Sequence, residues 1–135
     1  MKVLIMGCGR VGSYIASTLW HDGCKVTIVD SQAESFFLLP TDMRNQGDCT
    51  IVGDGVLEEV MRRAGVVESD VFVAVTSQDN RNILATQKAK HLFGVPRVVC
   101  RIGDPMRQEV YSNLGLNVVS STRVASNLIL EAIRL

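Results

Sequence analysis

An uninterrupted apolar stretch, Val3-Leu4-Ile5-Met6, runs straight into Gly7-Cys8-Gly9-Arg10-Val11-Gly12. The pairing constrains the fold strongly. A strand must stop at a glycine turn and the chain must re-emerge as a helix. In the G-x-G-x-x-G spacing the first glycine makes the tight bend. The second leaves bare backbone for a close approach, and the third lets helix and strand pack tightly. The new helix points free N–H groups, with their partial positive charge, at whatever anion lies over the turn. Gly7, Cys8, Gly9, Arg10, Val11 and Gly12 are therefore expected to form a phosphate-binding turn.

The next segment supports that expectation. Cys24 to Val29 is rich in β-branched residues and ends in Asp30. In dinucleotide-binding folds an acidic residue at the tip of the second strand, about 20 residues past the glycines, accepts hydrogen bonds from ribose hydroxyls. A carboxylate there repels a 2′-phosphate, so NAD or another unphosphorylated adenosine ribose is expected rather than NADP. The competing reading is a strand-end aspartate that caps the next helix.

Strand and helix signals alternate along all 135 residues, which predicts one domain with a parallel sheet covered on both faces. The expected helices cover about Val11–Asp22, Leu57–Ala64, Asn80–Phe93, a segment from Asp104-Pro105 to near Gly115, and Val124–Leu135. A further helix is expected to open at Ser31 with Glu34 as a capping-box partner, and to end or kink at Pro40. The later strands are expected at Cys49–Val52, Val71–Val75, Arg97–Ile102 and Asn117–Val119. The fold class is α/β, a Rossmann-like doubly wound sheet of six parallel strands in the order 3-2-1-4-5-6. Its crevice should lie between strands one and four.

Composition narrows the function. Lysine plus arginine number 14, as do aspartate plus glutamate, so no basic face for nucleic acid is indicated. No apolar run reaches the roughly 18 residues of a membrane span, and the N-terminus lacks a signal-peptide layout. A link to a membrane is expected to run through a partner. Cys8, Cys24, Cys49 and Cys100 are widely spaced and read as core filler in a reducing compartment. Cys8, lying in the turn near a helix N-terminus, is expected to have a lowered thiol pKa and to be reactive when the site is empty. His21 and His91 fall near helix C-terminal ends, away from the crevice, so an acid–base pair is missing and catalysis is not expected.

Other side chains are expected at the crevice. Arg10 should meet phosphates with bidentate, charge-assisted bonds. Gly53-Asp54 closes strand three and reads either as a contact to an adenine edge or as a cap. Thr76-Ser77 closes strand four and faces a ribose or phosphate, unless Thr76, Ser77 or Asp79 caps the following helix. Arg101 ends strand five and reaches either the crevice or an acidic neighbour. Ser31 follows Asp30 at the same rim. The terminal helix, about residues 122–135, carries an apolar stripe that needs a cover, and a dimer contact is the favoured one.

Together these runs resemble one family. The glycine run, Val29-Asp30, Gly53-Asp54, Arg63-Ala64-Gly65, Ala74-Val75-Thr76 with Asp79-Asn80, Ala89-Lys90, and Arg101 before Asp104-Pro105 are similar to the RCK (regulator of K+ conductance) or KTN domain. The resemblance covers nearly the whole chain, to Tyr111 and Leu114-Gly115. Gly55 departs from it, standing where alanine is expected. The resemblance implies a cytoplasmic regulatory domain, peripheral to the inner membrane face. It implies binding of NAD(H), ATP, ADP or AMP, with Arg10 on phosphate and Asp30 on the ribose. It also implies a K+ transporter or channel as partner, and a homodimer or ring built through the final helix. Two other classes compete: the cofactor half of an NAD-dependent dehydrogenase, and a nucleotide sensor with another partner.

Overall fold

The computed structural model describes residues 1–135. Six strands form one sheet: β1 (Lys2–Met6), β2 (Lys25–Asp30), β3 (Thr50–Val52), β4 (Val71–Ala74), β5 (Arg97–Ile102) and β6 (Val118–Ser120). Their order is β3-β2-β1-β4-β5-β6 and every pairing is parallel. The helices are α1 (Arg10–His21), α2 (Thr41–Arg44), α3 (Glu58–Arg63), α4 (Asp79–Gln87), α5 (Pro105–Asn113) and α6 (Ser121–Arg134). The expected fold class and strand order are both found.

The apolar run of β1 is explained by its place in the middle of the sheet. Leu4 lies between Thr27 of β2 and Phe72 of β4, and Ile5 between Ile28 and Val73. Successive side chains point to opposite faces, so one strand feeds two cores. Leu4 and Met6 join Phe72, Ala74, Val60, Met61 and Ala85 beneath α3 and α4. Val3 and Ile5 join Ile28, Ala16, Phe36 and Met43 on the other face, beneath α1 and the segment after β2. Full burial of side chains of this size contributes about 1.5–3 kcal/mol each.

Several boundaries differ from expectation, each for a local reason. The helix expected at Ser31 is a 3-10 stretch, Ala33–Leu38, and no side chain caps it. The carboxylate of Asp30 accepts the Gln32 N–H at 2.8 Å, so it serves this turn in place of the Ser31–Glu34 pair. Pro40 ends that stretch and stands at the N-terminal flank of α2. The helix after β4 is α-helical to Gln87 and then widens into a π turn over Lys88–Leu92. The last helix begins at Ser121, earlier than its apolar stripe, because the Ser120 hydroxyl accepts the Arg123 N–H at 3.1 Å. Gly23 and Gly65 stop α1 and α3 with φ of +91° and +85°.

Candidate functional site

The C-terminal ends of β1, β2 and β4 open into a cleft of about 590 Å³. The first strand of the crossover pair leads to one side of the sheet and the fourth to the other. The chain therefore diverges at the carboxyl ends, where this class of sheet leaves a crevice. All of Gly7, Cys8, Gly9, Arg10, Val11, Asp30, Ser31, Gly53, Asp54, Thr76, Ser77 and Arg101 border the cleft. Gly12 does not; it lies behind the turn.

The three glycines do different work. Gly7 has φ +108°, a left-handed conformation, and a Cβ there would lie 2.9 Å from the Thr76 backbone nitrogen. Gly12 presses against the Gly7 carbonyl, and a Cβ would overlap that oxygen. Gly9 has nothing within 4 Å of where a Cβ would stand. It flanks the first turn of α1 with no side chain capping the helix. Bare backbone and uncapped amide groups thus border open space, which suits an anion.

Asp30 anchors this turn from the side. Its Oδ2 accepts the Cys8 N–H at 2.8 Å and its Oδ1 accepts the Gln32 N–H. A carboxylate offers about four acceptor positions, so two remain. The glycine turn is also tied to β2 through Gly7 N–H on the Val29 carbonyl at 2.8 Å. One residue therefore both holds the turn in shape and keeps free lone pairs at the cleft.

Cys8 corrects the expectation of a reactive thiol. Its side chain is fully buried and donates to the Ser35 carbonyl at 3.4 Å. Burial, and then the neighbouring Asp30 charge, push the thiol up to about 11. The sulfur turns into the core below the turn, so the helix N-terminus does not stabilise a thiolate. Only its backbone serves the cleft. Cys49 and Cys100 are buried as well, and burial raises their thiols.

The far wall of the cleft is organised by Asn82, which sequence reading missed. This residue is completely buried in α4. Its Oδ1 accepts from the Thr76 N–H at 3.0 Å and the Thr76 hydroxyl at 2.6 Å. Its Nδ2 donates to the carbonyls of Thr76 and Arg101, both at 2.9 Å. The ends of β4 and β5 are thereby fixed to one helix. The Thr76 hydroxyl also accepts the Gln78 N–H at 3.1 Å, closing the loop before α4. Neither Thr76, Ser77 nor Asp79 caps that helix; Gln78 stands at its N-terminal flank. The Asp79 carboxylate instead accepts the Gly103 N–H at 2.9 Å. Ser77 stays exposed at the rim.

Three guanidinium groups and two carboxylates line the cleft. Arg10 is exposed and engaged in no ion pair. Arg101 donates from Nε to the Ser121 hydroxyl at 3.1 Å, linking the cleft to the start of α6. Asp54 accepts the Val56 N–H at 3.2 Å and is ion-paired with Arg81. Arg81 is the second residue that sequence reading missed. It sits within Asp79-Asn80-Arg81-Asn82, which looks like the solvated start of a helix. The unexpected Gly55 also finds its reason here, since a Cβ would overlap Met6 Cγ. The large side chain ending β1 fills the volume that alanine would take.

The geometry agrees with comparisons to known proteins. The TrkA-N domain family model matches residues 3–122. The chain is 40% identical over 131 residues to the Trk system potassium uptake protein TrkA of Streptomyces coelicolor, covering 97% of this chain and 57% of that protein. The chain thus spans a little over half the length of that relative. Among solved structures, the TrkA-N domain of the inner membrane protein ybaL from Escherichia coli superposes with a TM-score of 0.83 at 17% identity, over 97% of this chain and 95% of that one. The GsuK channel bound to NAD gives 0.77 at 24% identity, over 95% and 22%. The Kef C-terminal domain of Shewanella denitrificans in its AMP-bound form gives 0.78 at 22%, over 99% and 80%. With its glycine turn, its Asp30 anchor and a family match over most of its length, the chain belongs to the TrkA-N domain family.

Proposed function

We propose that this chain is the nucleotide-binding regulatory domain of a K+ uptake system, acting on a membrane-embedded transporter or channel. The observation that carries the reading is the open backbone at Gly9, beside an uncapped helix start and the Asp30 carboxylate. A pyrophosphate over Gly9 would meet the amides of α1 and the free guanidinium of Arg10. The adenosine ribose would use the acceptor positions left on Asp30, which disfavours a 2′-phosphate. NAD(H) and adenine nucleotides such as ATP, ADP and AMP fit this arrangement. Ser31, Gly53, Asp54, Thr76, Ser77 and Arg101 form the surrounding rim.

Binding, and not catalysis, is the output. No histidine, lysine or tyrosine borders the cleft. Its two carboxylates are engaged in hydrogen bonds and an ion pair, and its one thiol is buried. We therefore assign none of the lining side chains to proton transfer. No helix is long and apolar enough to cross a membrane; on this reading force reaches the gate through a membrane-embedded partner. We assign that transmission to self-association through α6, whose apolar face carries no buried residue. A nucleotide shifts the assembly only if it binds one geometry more tightly than the other. On this reading the domain works on the cytoplasmic side, as a homodimer or ring.

Calorimetric titration with NAD and ATP tests the proposal. Gly9→Asp should keep the fold, because a side chain there projects into open space, and should abolish binding. Asp30→Ala should weaken NAD by about 1.5–3 kcal/mol, the worth of hydrogen bonds to a charged group. Unchanged binding in Gly9→Asp would overturn the site. Equal affinity of the parent chain for NAD and NADP would overturn the role of Asp30.

A further inference from the structure

The Asp54–Arg81 pair bridges the loop after β3 and the first turn of α4, along the cleft wall on the α3–α4 side. It is preformed but loosely held. The side chains are 38% and 41% exposed. Ion pairs this exposed shift an equilibrium by about fivefold or less. Asp54 has a second anchor, the Val56 N–H, and keeps its place without the arginine. Arg81 has no other partner. A hydrogen bond to a charged group such as phosphate is worth about tenfold or more. A phosphate within reach therefore outcompetes Asp54 for Arg81.

Building on the nucleotide-site reading above, we propose that Arg81 is a specificity-determining residue that selects ligands with two or more linked phosphates. Arg10 lies at the glycine turn and serves the first phosphate. Arg101 gives its Nε to Ser121 and is tied to the start of α6. Arg81, on the helix that follows β4, borders the same cleft as the glycine turn and is the cation for a second or third phosphate. Asp54 stores this cation at the cleft wall until a phosphate takes it. The class favoured is a nucleoside di- or triphosphate, or a dinucleotide, over a nucleoside monophosphate.

Titration of AMP, ADP and ATP into four proteins tests the assignment: the parent, Arg81→Gln, Asp54→Asn and the double variant. Thermal melting of each checks the fold. Arg81→Gln should weaken ADP and ATP by about tenfold and leave AMP unchanged, while Arg81→Lys restores most of the loss. Asp54→Asn preserves the acceptor for Val56 and removes the charge that holds Arg81. It should tighten ATP by up to about fivefold, and the gain should vanish in the double variant. Equal losses for AMP and ATP in Arg81→Gln would overturn the selection of phosphate number. Weaker ATP binding in Asp54→Asn that persists in the double variant would overturn the storage role, since Asp54 would then touch the nucleotide itself. A parent that binds none of the three nucleotides would overturn the reading of the cleft as a nucleotide site.

Discussion

Helices α1 and α6 are similar on paper and opposite in the molecule. Both are amphipathic and both follow a strand of the same sheet. α1 buries Gly12, Ser13 and Ala16 against the strands, with Ile15, Leu19 and Trp20 packed around that contact. α6 buries nothing, and Leu128, Ile129 and Ile133 are 60%, 60% and 72% exposed. The difference lies in what each helix faces: α1 lies on β1 and β2, and the apolar face of α6 meets nothing within the chain. Small residues let α1 approach the sheet closely and bring its N-terminus over the turn. The face of α6 is made of large aliphatics, which suit a partner surface of comparable relief. Periodicity thus shows which face is apolar, and says nothing of what covers it.

The largest test of this contrast is at Gly12. Gly12→Val drives a branched side chain into the Gly7 carbonyl. Chemical denaturation should show a loss of several kcal/mol together with loss of nucleotide binding. A stable protein would mean that α1 need not sit as close as described. Next, Ile28→Ala beneath α1 should cost about 2–5 kcal/mol. Ile133→Ala on α6 should cost less than about 0.5 kcal/mol in the dilute monomer. The same α6 substitution should weaken self-association in sedimentation experiments. Equal destabilisation by the two substitutions would show that α6 is already packed within the chain. The smallest effect concerns thiols. At pH 8, Cys8 should label far more slowly than the partly exposed Cys24. Because the folded-state value of Cys8 lies above its ordinary 9.0, at about 11, its contribution to stability is intact below pH 9. That contribution declines as pH rises toward 11. Fast labelling of Cys8 in the native protein would contradict its burial under the turn.

The part of the candidate site nearest the N-terminus, as a shape, was legible in the sequence because its requirements are local. A glycine turn needs glycines at fixed spacing, and an aspartate ending a β-branched run needs no tertiary knowledge to be noticed. The opposite wall was not legible. Asn82 and Arg81 belong to a polar helix start, and their importance rests on Thr76, Arg101 and Asp54, which only folding brings near. Local signals also misled where a stronger neighbour intervened. The Ser31–Glu34 pair reads as a capping box, yet the strand-end Asp30 takes the Gln32 amide first. Cys8 lies at a helix N-terminus in sequence, but its side chain points the other way. Gly55 seemed a departure until Met6 was seen to occupy its missing methyl.

The link between Arg101 and Ser121 has a mechanical side. At 1.5 Å per residue, the 14 residues of α6 make a rod about 21 Å long. It is held only at its base, by the Ser120 cap, the Arg101–Ser121 bond and a bond from Arg123 to the Pro105 carbonyl at 3.3 Å. A tilt of about 10° at that base would carry the far end of such a rod through about 4 Å. One of the three fastenings is a side chain that also borders the cleft. A lever of this kind turns a shift too small to see at the cleft into a displacement as large as a side chain at its tip.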